Sequence, residues 1–164
     1  WRLAELTVNY RTPGRILEAA TAMLAESGIV ATAMTSAREG DWPPTAERVT
    51  GDLPAAVAGA VEAELAMLGE GRLAVIAAAS AQPGLADVLG GLAGADERLV
   101  LLTPAQSKGL EFDVVVLVEP AAILTGSVRG ASDLYVAMSR CTQRLRILHR
   151  EPLLAALAGL PGPE

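Results

Sequence analysis

The sequence predicts an α/β domain built on a largely parallel sheet with helices on both faces. Three observations predict it. Apolar runs of strand length at Leu73–Ala79, Leu99–Leu102 and Val114–Val118 lack the alternation of a half-exposed strand, as buried parallel strands do. Segments of helical period stand between and around them, at Arg15–Ser27, Pro54–Leu68, Leu85–Leu92 and Ala131–Arg140. Apolar residues make up 51% of the chain and aromatics only 3%, so the core has to be built from Ala, Leu, Val and Ile, a mixture that suits helices on a parallel sheet.

Composition narrows the function classes. The 164 residues suffice for one domain with a sizeable core and leave little room for a second. Thirteen basic against nineteen acidic side chains give a net charge of −6, which argues against gripping nucleic acid by overall charge and leaves a local basic site open. The single Cys141 excludes an internal disulfide, and with the lone His149 it cannot form a zinc site unaided. Cysteine usage therefore points to an intracellular, reducing compartment, with a cytoplasmic location expected. No apolar run has the length of a membrane span, and no signal pattern opens the chain. Because the chain starts at Trp1 in sequence that is already patterned, it is expected to be a piece of a longer protein.

Taken in order, Asn9-Tyr10-Arg11-Thr12-Pro13-Gly14 precedes a helix over Arg15–Ser27 carrying Ile16, Ala19, Ala20, Met23 and Leu24 on one face. Thr12 is expected to cap it, with Pro13 in its first turn. Tyr10 and Arg11 then sit before a helix N-terminus, where an anion is favoured. Packing of Tyr10 and a surface ion pair for Arg11 explain the same residues. Gly28–Pro44 reads as a loop with at most a short strand at Ile29–Ala33, and Trp42 within it is expected to cover the edge of the core. Arg48–Thr50 predicts a brief strand. Asp52 is the expected cap of the helix over Pro54–Leu68, whose inner face is Val57, Val61, Leu65 and Leu68. The helix over Leu85–Leu92 is expected to end at Gly90, Gly91 and Gly94.

The stretch from Leu99 to Arg150 is where chemistry is expected. The strands Leu99–Leu102 and Val114–Val118 are each followed by polar, Gly-containing or acidic residues, and ligands of α/β sheets bind outside the carboxyl ends of strands. Thr103 ends the first, Pro104–Ser107 turns, and Lys108-Gly109-Leu110-Glu111-Phe112 bridges to the second. Gly109 permits a positive φ, and Glu111 offers an acceptor of the kind that holds a ribose hydroxyl. A solvated Lys108–Glu111 pair on a short helix accounts for the spacing equally well. Glu119 follows a strand as a metal-holding acid would, yet G-x-x-x-x-G-K-[ST] occurs nowhere in the chain, so an ordinary strand-end carboxylate is the expectation. Leu134, Ala137 and Met138 face inward on the next helix, a strand follows at Gln143–Leu148 with Arg144 and Arg146 alternating with Leu145 and Ile147, and Leu153–Leu160 closes the chain as a helix.

These residues resemble a family. Thr103 with Ser107-Lys108-Gly109-Leu110-Glu111-Phe112 looks like motif V of the UvrD-like superfamily 1 helicases, and Leu134-Tyr135-Val136-Ala137-Met138-Ser139-Arg140-Cys141 looks like their motif VI. Asn9-Tyr10-Arg11-Thr12 is similar to their motif IV. The resemblance spans nearly the whole chain and implies, for residues 1–164, the second RecA-like motor domain (2A), whose partner domain carries the P-loop and the acidic metal-binding motif. Within the family, Leu6-Thr7-Val8-Asn9-Tyr10-Arg11-Thr12-Pro13, Lys108 through Asp113 and Val118-Glu119-Pro120-Ala121 look most like HelD-type proteins, which release bacterial RNA polymerase from nucleic acid. Only Thr12–Val100 separates motifs IV and V, an interval filled by the sheet's own elements, so no 2B insertion is expected.

The resemblance implies that Tyr10 stacks on adenine, that Arg11 and Arg140 reach the γ-phosphate across a domain cleft, that Glu111 accepts from the ribose, and that Gly109 lets the backbone approach. It implies that Thr103, with Lys108 beside it, faces nucleic acid. ATP and Mg2+ are then cofactors of the full-length protein, with no metal held by this segment alone. The implied partners are the P-loop domain, RNA polymerase or DNA, and no membrane. Ala105 stands where the family has His, and Ser139 where it has Thr, and loss of the His fits polymerase displacement better than unwinding. A UvrD-type DNA helicase or repair translocase, and a non-catalytic RecA-like interaction module, are the competing readings. Retention of both Arg11 and Arg140 speaks against the module.

Overall fold

A computed structural model of the chain describes residues 8–9, 11–30 and 35–163. Five strands form one parallel sheet: β3 (Thr45–Arg48), β4 (Leu73–Ala77), β5 (Leu99–Leu102), β6 (Phe112–Val118) and β7 (Cys141–His149), in the order β3-β7-β6-β4-β5. A separate parallel pair joins β1 (Val8–Asn9) to β2 (Thr35–Ser36). The helices are α1 (Gly14–Glu26), α2 (Leu53–Met67), α3 (Gln82–Ala95), α4 (Pro120–Gly126), α5 (Gly130–Ser139) and α6 (Ala155–Ala158).

The period-two geometry of the strands divides the core into two layers. Ala74 and Ile76 of β4, Val115 and Leu117 of β6, and Leu145 and Ile147 of β7 pack against α1, α4, α5 and α6. The intervening Leu73, Val75, Val114, Val116 and Leu148 pack against α2 and α3. All five residues of β4 are buried, which is why its sequence shows no alternation. No domain is inserted in the Thr12–Val100 interval, which α1, β3, α2, β4 and α3 fill together with β2.

Several local expectations are corrected. Pro13 is the N-cap of α1 and makes no side-chain cap bond. The Thr12 hydroxyl instead donates to the carbonyl of Ser139, 3.1 Å away, a long-range tie that outcompetes local capping. β3 lies at Thr45–Arg48 rather than Arg48–Thr50, because its register is set by pairing with Arg146–His149 of β7. Helix α3 runs through Gly90, Gly91 and Gly94, held by Leu85 and Leu89 buried against the sheet. The closing helix is shorter than expected, Ala155–Ala158, with its first N–H groups bonded to the Glu26 carboxylate at 2.9 and 2.8 Å. Ile29 and Val30 are not in a strand, and the rest of the expected Ile29–Ala33 strand lies outside the described residues. Asp52 caps α2 as expected, its Oδ1 accepting from the Ala55 N–H at 2.9 Å.

Candidate functional site

Two depressions mark opposite edges of the sheet. At the carboxyl edge, the residues following β4 and β5 meet α4, α5 and their connection around a cavity of about 210 Å³ lined by Ala78, Thr103, Ala122, Ile123, Ser127 and Asp133. The helices after β4 and β6 depart to opposite faces here, so this is the switch point of the sheet. Its lining is mostly small and apolar. Thr103 is held in a tight turn, its N–H donating to Gln106 Oε1 at 2.8 Å and its hydroxyl oxygen accepting from the Gln106 N–H at 3.3 Å.

The chemistry-bearing cluster lies at the other edge. Glu111 immediately precedes β6 and Arg140 immediately precedes β7, so both stand at amino ends of strands. This corrects the expectation that the post-strand residues would gather at the carboxyl edge. The physical reason is the 103–111 segment, which starts at the carboxyl end of β5 and returns along α5. Lys108 meets Asp133 in the first turn of α5 at 3.6 Å, while the Leu110 carbonyl accepts from Arg140 Nη1 at 3.3 Å beyond its last turn. Gly109 turns this segment at φ 80°, a conformation that a side chain would strain. Lys108 and Glu111, one candidate pair, thus take different partners.

Asn9, Arg11, Thr12, Glu111, Tyr135, Ser139 and Arg140 line a pocket of about 150 Å³. Arg11 is exposed and forms an ion pair with Glu111. Arg140 bonds to neutral acceptors: Nε to the Val136 carbonyl at 3.2 Å, Nη1 to that of Leu110, and Nη2 to the Ser139 hydroxyl at 3.2 Å. Among the described residues it has no carboxylate partner, so the pocket carries two guanidinium charges against one carboxylate. An excess of positive charge and planar N–H forks is what a phosphate requires.

Asn9 shapes the loop that presents Arg11. Its Oδ1 accepts from the N–H groups of Arg11 and Thr12 at 2.8 and 3.1 Å, an Asx turn, and its Nδ2 donates to the Thr12 hydroxyl at 3.3 Å. Tyr10, between them in sequence, falls outside the described residues. Tyr135 is a pocket residue the sequence reading did not single out. Its four-residue spacing from Ser139 on α5 was the available signal, because residues so spaced share a helix face. Burial pushes the Tyr135 hydroxyl above its ordinary pKa, with the nearby Arg140 charge opposing that shift.

Other conspicuous residues have structural partners. Glu119, at φ 50°, accepts from the N–H groups of Arg150 and Glu151 at 3.0 and 3.2 Å and so ties the end of β6 to the end of β7. Cys141 is fully buried, its thiol pushed up to about 12 by desolvation. Among the described residues, no three His, Cys, Asp or Glu side chains group as a metal site, and no helix is long and apolar enough to cross a membrane.

No family model matches the chain, and no curated protein matches it. Solved structures do. The C-terminal domain of a possible DNA helicase from Lactobacillus plantarum WCFS1 superposes with a TM-score of 0.63 at 20% identity, covering 93% of this chain and 94% of that one. The methylated PRRSV nsp10 helicase gives a TM-score of 0.46 at 15% identity over 95% of this chain and 26% of that one. The first likeness, end to end in both chains, shows a shared fold, a largely parallel α/β sheet flanked by helices of the RecA-like kind.

Proposed function

We propose that the chain is the second motor domain of a superfamily 1 ATP-driven motor, and that the pocket of Arg11, Glu111 and Arg140 is its half of a shared ATP site. The observation that carries this is the meeting of two guanidinium groups from opposite ends of the chain on a single pocket, one of them without a carboxylate partner among the described residues. The size of the pocket supports the sharing. At about 150 Å³ it is below the roughly 300–1,000 Å³ of sites that enclose a small molecule, so a second wall is needed to hold a nucleotide. That wall is a P-loop domain elsewhere in the full-length protein, which also holds Mg2+ through its acidic residues.

In this reading Arg140 and Arg11 contact the terminal phosphate and stabilise the charge that develops as it is transferred to water. Arg11 exchanges Glu111 for phosphate oxygens, which frees the Glu111 carboxylate to accept from the ribose. Tyr10 supplies the aromatic face for adenine, and Gly109 keeps the intervening backbone close. Thr103 and Lys108, on the opposite edge, face the nucleic acid. Nucleotide closure and strand contact then occupy separate edges of one sheet, which lets one move the other.

DNA is the working partner we favour, supported by the end-to-end likeness to a domain of a possible DNA helicase. HelD-type release of RNA polymerase is the second reading, supported by the uninterrupted Thr12–Val100 interval and by Ala105. The full-length protein separates them. We expect its ATP turnover to rise with single-stranded DNA and to displace the strand of a tailed duplex. Turnover indifferent to DNA, together with retention on immobilised RNA polymerase, would move the assignment to the second reading. A full-length protein that hydrolyses no ATP under either condition would leave only an interaction module.

A further inference from the structure

The pocket is assembled from three pieces of chain, and the Thr12 side chain joins two of them, the Asn9–Thr12 loop and the end of α5. Thr12 is 1% exposed, and its hydroxyl donates to the Ser139 carbonyl at 3.1 Å while accepting from Asn9 Nδ2 at 3.3 Å. Its N–H is taken by Asn9 Oδ1, and its carbonyl accepts from the Ser36 hydroxyl at 2.7 Å. One neighbour in sequence is Arg11; the acceptor of its hydroxyl is the residue directly before Arg140. Ser139 closes the link, since its own hydroxyl accepts from Arg140 Nη2 and donates to the Val136 carbonyl at 3.0 Å.

We infer that Thr12 is the positioning residue that sets the relative placement of the Arg11 and Arg140 guanidinium groups, through a buried hydroxyl bond to the end of α5. The inference rests on the proposed ATP half-site and goes beyond it in assigning a residue that acts through the two arginines. Local capping logic assigns Thr12 to its own helix, and the structure gives that helix no side-chain cap at all. A buried threonine whose hydroxyl is turned away from the adjacent helix terminus toward a distant carbonyl is spent on tertiary registration. Two cations acting on one phosphate depend on their spacing, and misplacement by about 1 Å costs on the order of 100-fold in rate. A link that holds the spacing acts on the transition state more than on nucleotide affinity.

Steady-state ATP hydrolysis by the full-length protein tests this with Thr12→Val, Thr12→Ser, Arg140→Ala and the double variant Thr12→Val/Arg140→Ala, each checked by thermal unfolding. For Thr12→Val we expect kcat to fall about tenfold with KM within about twofold, since the lost contact serves the transition state more than nucleotide affinity. Thr12→Ser, which keeps the hydroxyl, restores at least half of kcat. In the Arg140→Ala background Thr12→Val adds little, because the residue it positions is gone. Native kcat in folded Thr12→Val would overturn the inference, as would a Thr12→Val loss that multiplies fully onto Arg140→Ala. A normal kcat in Arg140→Ala itself would instead remove the ATP-site reading beneath it. If Thr12→Val fails to fold, Thr12→Ser decides by the same readout, with a kcat below a tenth of native counting against the hydroxyl's role.

Discussion

Glu64 shows how single residues decide what this fold tolerates. Arg144 and Arg146 alternate with Leu145 and Ile147 along β7, so the strand puts aliphatic residues on one face and two guanidinium groups on the other, under α2. Glu64, 6% exposed, receives both: Arg144 Nε lies 2.8 Å from Oε2 and Arg146 Nη1 3.8 Å from Oε1, while Glu47 takes Arg146 Nη2 at 2.9 Å. Arg144 Nη2 and Arg146 Nε are buried with no hydrogen-bond partner among the described residues, so the network has no reserve. Trp42 stacks over Arg144 with its ring centre 5.7 Å from Cζ, but it is half exposed and joins neither core layer, so it covers the arginine rather than the core edge expected from the sequence. Glu64→Ala should therefore cost about 3–5 kcal/mol of stability, the penalty for uncovering buried charge, with equilibrium urea unfolding as the measurement. A loss under about 1 kcal/mol would show that water reaches the arginines. The alternation on β7 was legible in the sequence, but Glu64 was not, because it stands on a helix whose apolar face was read without it. Thr12 was misread for a related reason: its acceptor, Ser139, is near only in space.

At the scale of elements, β5 was predicted to the residue and α2 to within one at each end, both from strong local signals: a pure apolar run, and an Asp cap with Pro in the first turn. α3 was predicted too short. Glycine costs about 1 kcal/mol relative to alanine inside a helix, so three of them read as a stop. The burial of Leu85 and Leu89 against the sheet offsets that cost, and tertiary packing of this kind is invisible to a propensity argument. The same glycines give a prediction. A Cβ added at Gly90 or Gly91 meets nothing within 4 Å, and neither residue has positive φ. Gly90→Ala and Gly91→Ala should each stabilise the chain by about 0.5–1 kcal/mol, read as an upward shift in the thermal midpoint. Destabilisation by either would mean that the helix needs its glycines for a contact absent from the folded chain. β3 escaped accurate prediction because Thr-Ala-Glu-Arg carries no apolar pattern; only its pairing with β7 defines it.

On the scale of the whole molecule, the parallel sheet and its two helical layers followed from composition and from buried strands between helical segments, and these survive comparison with a solved domain. Tyr10, Arg11, Gly109 and Glu111 stood out from their own chemistry, but Arg140 and a joint role at an ATP site were legible only through their likeness to helicase motifs. Which of them would meet was partly legible: Arg11, Glu111 and Arg140 share a pocket, while Thr103 lies at the far edge of the sheet. The sheet's carboxyl edge was the expected place for the chemistry because that rule describes domains that hold their own ligand. A domain that lends arginines to another domain's ligand is free to present them from the amino edge, where β6 and β7 begin. The most direct test of that division is steady-state ATP turnover by full-length Arg140→Ala alongside the native protein. If this domain completes the ATP site, kcat falls by about 10³-fold or more while the thermal unfolding profile stays native. Turnover within a few-fold of native by the folded variant would contradict it.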